Sequence, residues 1–95
     1  MSTSTAYGWV ITWTTFEDEK PGVCGPRGSI YNSGKIIAEG REFRMLDDDG
    51  EHYYTGFYLG PHDGTEFGPL DDYGMPNAGA TSIEYRNAAG AWEAL

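Results

Sequence analysis

A chain of 95 residues and 10.5 kDa makes one domain at most, with no room for a cofactor domain beside a substrate domain. Seven Tyr, four Phe and three Trp supply enough rings for a compact core, which argues against a disordered chain despite 14 Gly and 5 Pro. Six Lys and Arg against fifteen Asp and Glu leave a net charge of −9, which disfavours a fold that holds nucleic acid on a basic surface.

Residues 7–15 alternate, with Tyr7, Trp9, Ile11 and Trp13 on one face and Gly8, Val10, Thr12 and Thr14 on the other. Period two with aromatic and β-branched residues predicts a half-buried strand. Two prolines and three glycines between 17 and 29 predict a loop. Residues 30–40 fit either a short helix through Ile30, Ile36, Ile37 and Ala38, closed by Gly40 as a left-handed cap, or a strand around 35–38. Gly34 counts against the helix by about 1 kcal/mol relative to Ala.

The strongest signal lies at 42–59. EFRML and HYYTGFYL flank DDDG, and Asp-Gly between two β-prone runs marks a hairpin because Gly50 adopts positive φ without steric cost. On the second run Tyr53, Thr55, Phe57 and Leu59 share one face, and His52, Tyr54 and Tyr58 share the other. Gly56 marks a bulge or a close backbone approach. Residues 60–80 read as a long loop with a short strand at Thr65–Phe67, tacked to the core by Phe67, Leu70 and Tyr73. Thr81, Ile83 and Tyr85 face inward on a strand over 81–86. The turn Asn87-Ala88-Ala89-Gly90 leads back into 91–95.

The expected fold is therefore mainly β. About five antiparallel strands, at 7–15, 42–47, 51–59, 81–86 and 91–95, form a small sheet or open barrel with one short helix near 30–39. The expected core is Trp9, Ile11, Trp13, Phe43, Met45, Phe57, Ile83, Tyr85 and Trp92. The N-terminus has neither the basic region nor the apolar run of a signal peptide. Cys24 stands alone, which fits a reducing compartment and predicts a cytoplasmic protein.

Motifs that suggest chemistry fall short. LDDDGE resembles a calcium loop, but with Gly50 at the sixth position the first and twelfth fall on Met45 and Gly56, which supply no ligand. His52 and His62, with Asp63 or Asp71, lack a metal-site spacing. Cys24 sits in GVCGPRG, which is neither a nucleophile elbow nor a helix start, and GPRG lacks the Lys-Ser/Thr of a phosphate loop. No cofactor, metal or catalytic residue is expected.

What stands out is acid interleaved with rings. Between 47 and 72 there are eight carboxylates and no Lys or Arg. Asp47, Asp48, Asp49, Glu51, Tyr54, Tyr58, Asp71, Asp72 and Tyr73 are the expected contact residues for a basic protein or peptide, the carboxylates steering it and the tyrosines offering flat rings. The bland alternative is a solvated acidic rim. Two other classes stay open: a DNA mimic, whose nine net charges match roughly five base pairs, and a small metal protein or enzyme. FRMLDDDGEHYYTG, FGPLDDYGMPNAG and IEYRNAAGAWEAL resemble a recurring type of short acidic protein of actinobacteria and their phages. The resemblance implies a bacterial or phage setting and assigns no role to any residue.

Overall fold

In the computed structural model, residues 6–61 and 65–95 are described. Six antiparallel strands form one open sheet: β1 (Gly8–Thr14), β2 (Cys24–Gly25), β3 (Arg41–Leu46), β4 (His52–Leu59), β5 (Ser82–Arg86) and β6 (Trp92–Ala94), in the order β2-β1-β4-β3-β5-β6. The extra strand is the two-residue β2, which borders β1 at Trp9 and Val10. One helix, α1 (Ser33–Glu39), precedes β3. Its Asn32 cap accepts the Lys35 N–H at 2.8 Å, and Gly40 ends it in an extended conformation, not the left-handed one expected. A Cβ at Gly40 would collide with the carbonyls of Ile36 and Tyr58. No described helix is long and apolar enough to cross a membrane.

The 60–80 region corrects the sequence reading. Thr65–Phe67 is a 3-10 turn and not a strand, Leu70–Gly74 is a π-helical turn, and α2 (Met75–Ala78) completes a nearly continuous helical ribbon. Gly and Pro conceal it in the sequence because they sit at its joints. Gly79 closes α2 with φ of 73°, and Gly74 lets the ribbon approach Met45, whose sulfur would lie 2.5 Å from any Cβ there.

This ribbon covers the front face of the sheet. Trp9, Ile11, Phe43, Met45, Tyr54, Tyr58, Ile83 and Tyr85 are buried beneath Leu70, Tyr73 and Ala80. Ring contacts tie sheet to ribbon: Trp9 to Tyr73 at 5.4 Å and Tyr54 to Tyr73 at 5.0 Å. Each such pair contributes about 0.5–1.5 kcal/mol beyond burial. Gly56 lies between Tyr54 and Tyr58 on this face. A Cβ there would meet the Val10 carbonyl and the Phe43 ring, so the glycine marks a close approach.

Three expected core rings lie elsewhere. Trp13 is 44% exposed, and Phe57 and Trp92 are only half-buried. Phe57 lies on the uncovered face of β4, since both faces of that strand carry rings and the tyrosine face is the one the ribbon covers. For Trp13 the cause is a bulge at Thr12. Ile11 pairs with Gly56 but Trp13 pairs with Thr55, so the bulge turns Trp13 to the back of the sheet. Trp92 stands on β6 beside Arg86, also on the back. There α1 covers only the Gly8 end, where Ile36 fits over the glycine.

Candidate functional site

The nine expected contact residues separate in the fold. Tyr54 and Tyr58 are fully buried and Tyr73 is buried, so none of these three offers its ring to a partner. Their hydroxyls turn inward. Tyr54 and Tyr73 both donate to Glu19 Oε1, at 2.7 and 3.3 Å, and Tyr58 donates to the Pro61 carbonyl at 2.9 Å. Burial, and then the Glu19 carboxylate, push the Tyr54 hydroxyl well above its ordinary value. The alternation of rings and polar groups carries no sign of this, because a buried Tyr with a partner for its hydroxyl has the same pattern as an exposed one.

Asp72 is also taken up by the fold. Its Oδ2 accepts the Tyr7 hydroxyl at 2.9 Å and the Trp9 indole N–H at 3.1 Å. Burial, followed by this carboxylate, raises the Tyr7 hydroxyl to about 12. Asp71 beside it is exposed. This pair attaches near Tyr58, the cross-strand partner of Trp9, whereas the turn 47–51 leads into His52 at the other end of β4. Six residues of strand, roughly 20 Å, lie between. The stretch 47–72 is thus two acidic places and not one. His62 and Asp63 lie outside the described residues.

Asp47 differs from its neighbours. Its Oδ1 accepts the backbone N–H of Asp49 at 2.9 Å and of Glu51 at 2.8 Å, and its Oδ2 accepts the Tyr53 hydroxyl at 3.0 Å. The Glu51 N–H, above all, holds the carboxyl below its ordinary value. Asp47 is therefore a structural cap, which corrects its place among the expected contact residues. Asp48, Asp49 and Glu51 are exposed, and no side-chain hydrogen bond or ion pair holds them among the described residues.

The second hairpin supplies an internal control. Asn87 Oδ1 accepts the N–H of Ala89 at 2.9 Å and of Ala91 at 3.0 Å, as Asp47 does for Asp49 and Glu51. Gly90 donates to the Asn87 carbonyl at 2.9 Å and Gly50 to the Asp47 carbonyl at 3.0 Å, with φ of 84° and 81°. The same turn is thus built once from Asp-Asp-Asp-Gly-Glu and once from Asn-Ala-Ala-Gly-Ala. It requires an Asx residue at the first position and Gly at the fourth. It does not require Asp48, Asp49 or Glu51.

The fold adds neighbours that the sequence reading did not place there. Thr15 N–H donates to the Tyr53 carbonyl at 3.0 Å, and the Phe16 ring lies 5.1 Å from that of Tyr53. The loop after β1, with exposed Glu17, Asp18 and Lys20, therefore adjoins the turn 47–51. On the back face at this end, exposed Trp13 packs at a tilt of 38° against His52, ring centres 4.7 Å apart. The imidazole Nε2 lies 3.0 Å from the Tyr54 carbonyl and 2.6 Å from Thr55 Oγ1. The Thr12 bulge that creates this pair has no signal in the sequence.

Among the described residues no three His, Cys, Asp or Glu side chains gather as a metal site. Cys24 is exposed on β2. An open hollow of about 240 Å³ is lined by residues of 24–29 and Tyr31, and one of about 500 Å³ by Gly40, Arg41, Glu42, Arg86, Asn87 and Ala88. Comparison with protein-family models, with curated proteins and with solved structures gives no match.

Proposed function

We propose that this protein is a small non-enzymatic interaction module that binds a basic protein or peptide at the end of the sheet formed by the turn 47–51 and the loop after β1. The contact residues are Asp48, Asp49 and Glu51, joined by Glu17, Asp18 and the exposed face of Trp13. Tyr54, Tyr58, Tyr73, Asp47 and Asp72 support the fold. A bacterial or phage regulatory setting, inside the cytoplasm, fits this reading.

The observation that supports it is the uncharged twin of the turn. Since Asn-Ala-Ala-Gly-Ala makes the same hairpin, the carboxylates of Asp48, Asp49 and Glu51 are surplus to folding. Like charges so close repel one another and weaken the turn slightly. A cationic side chain would relieve that repulsion and could rest on the indole, where cation–π attraction adds about 0.5–1 kcal/mol at an exposed site. DNA mimicry draws less support, because Glu42, Glu66 and Glu84 are ion-paired to Arg86, Arg41 and Arg44, and Glu19, Asp47 and Asp72 accept internal hydrogen bonds.

The test is the triple variant Asp48→Ala, Asp49→Ala, Glu51→Ala, which copies the second turn. Titration with a fluorescent oligo-arginine peptide at two ionic strengths is expected to show salt-sensitive binding to the native chain. The variant should fold as well as the native chain and lose at least tenfold in affinity. Equal affinity in a folded variant would overturn the proposal.

A further inference from the structure

The back of the sheet away from α1 carries a regular pattern of charge. Arg44 and Glu84 are cross-strand partners on β3 and β5, joined at 2.7 Å, and Glu42 and Arg86 are joined at 3.0 Å one row along. On β3 the order is acid then base, and on β5 base then acid, so the four charges form a checkerboard. Their side chains remain between 25% and 49% exposed, which leaves them open to a partner. The flanking columns are apolar or neutral. Phe57 on β4 stands beside Glu42, and Trp92 on β6 stands beside Arg86, with the guanidiniums of Arg44 and Arg86 at 4.5 and 5.1 Å from its ring. In the next row Thr55 stands beside Arg44, and Ala94 beside Glu84.

We infer that this face pairs with the same face of a second copy of the chain, around a two-fold axis that runs along the strands between β3 and β5. Such an axis lays β3 over the partner's β5 and β4 over the partner's β6, and leaves the rows unchanged. Glu42 then meets the second copy's Arg86, Arg44 meets its Glu84, Phe57 meets its Trp92 and Thr55 meets its Ala94. Every charge faces its opposite and the rings face each other. The checkerboard lies nearest the axis, so the angle of roughly 30° at which aligned sheets pack displaces it least. The interface is isologous.

Charge complementarity decides the occupant. Two copies each carry a net charge of −9, so what favours the second copy is local: the alternation of Glu42, Arg44, Glu84 and Arg86, which a uniformly acidic or basic partner does not match. Here the charges cancel in pairs, and the surface that matches alternation with alternation is the same surface turned over. The four strands, about 4.8 Å apart and between three and eight residues long, give a flat area of roughly 350 Å² per copy. That is below the size of a stable interface, so association is weak and concentration-dependent. The axis keeps the strand direction, so the two ends bearing Asp48, Asp49 and Glu51 lie on the same end of the dimer.

Sedimentation equilibrium from about 10 μM to 1 mM, which brackets dissociation constants of a weak complex, is expected to show the native mass rising from one copy toward two. Arg44→Glu should hold the chain monomeric throughout. The swap variant Arg44→Glu with Glu84→Arg should dimerise again, because position 44 then meets position 84 with reversed signs. It should not pair with labelled native chain. An axis across the strands predicts the opposite for the swap, since residue 42 would then face a second Glu at 44. Circular dichroism confirms folding, and if Arg44→Glu does not fold, the swap variant alone decides. A native chain that stays monomeric, a folded Arg44→Glu that dimerises as well as the native chain, or a folded swap that stays monomeric would each overturn the inference.

Discussion

Trp9 and Trp13 lie on opposite faces of the sheet, although they are four residues apart on one strand. Trp9 is 4% exposed, packs on Tyr73 and donates to Asp72, whereas Trp13 is 44% exposed and leans on His52. Urea denaturation should therefore separate them sharply. Trp9→Ala removes a buried ring and a charge-assisted hydrogen bond and should cost about 3–5 kcal/mol. Trp13→Ala should cost about 1 kcal/mol or less. Equal losses would mean that the Thr12 bulge does not reverse the face.

Gly56 carries a second expectation about the core. Its α-hydrogens face the Val10 carbonyl and the Phe43 ring, and the carbonyl is fixed by strand pairing. Gly56→Ala must push β1 and β4 apart as well as tilt Phe43, and overpacking of this kind costs about 1–3 kcal/mol. A variant that melts at the native temperature would show that β4 can shift freely against β1.

Much of this architecture was legible, and the parts that were not share a cause. The 42–59 hairpin declares itself through Asp-Gly between β-prone runs, and the 81–95 hairpin through Asn87 and Gly90. Which face of a strand is covered depends on distant chain. The ribbon 65–78 buries Tyr54 and Tyr58 instead of Phe57, and nothing in HYYTGFYL announces it. The same holds for the site. Acid at 47–51 was visible, but only the fold brings Glu17 and Asp18 beside it and sets Asp71 and Asp72 at the far end of β4.

Phenols that are buried or hydrogen-bonded to carboxylates set a limit on alkaline stability. Tyr7, Tyr53, Tyr54, Tyr73 and Tyr85 all have hydroxyls raised above 10.0, the first to about 12. For Tyr7, Tyr54, Tyr73 and Tyr85 burial is the leading cause; for Tyr53 it is the bond to Asp47. The folded state prefers the protonated phenol, so the stabilisation is complete below pH 10. Above it the unfolded chain ionises first and binds fewer protons, and stability falls as pH rises toward 12 and beyond. Absorbance at 295 nm should show part of the tyrosine titration delayed past pH 10 and completed together with the loss of near-ultraviolet circular dichroism. Titration of Tyr7, Tyr53, Tyr54, Tyr73 and Tyr85 near pH 10 in folded protein would contradict their hydrogen bonds.

Asp47 offers the sharpest contrast with its neighbours, because one turn contains both a cap and surplus charge. Asp47→Ala removes the acceptor for the Asp49 and Glu51 N–H groups and for the Tyr53 hydroxyl, and should lower Tm by several degrees. Asp47→Asn keeps the Oδ1 acceptor, as Asn87 does in the second turn, and should lose less. Asp48→Ala or Asp49→Ala should leave Tm unchanged or raise it slightly by relieving repulsion. The pH dependence separates these roles. Because the folded Asp47 carboxyl lies below its ordinary 3.8, its stabilisation is present above that pH and is lost as pH falls through the lower folded value. Thermal melts between pH 2 and 7 should show a shallower acid-side decline for Asp47→Asn than for the native chain, and an unaltered contribution from Asp47 in Asp48→Ala. If Asp47→Ala melts with the native chain at pH 7 while Asn87→Ala does not, the two turns are alike in geometry only.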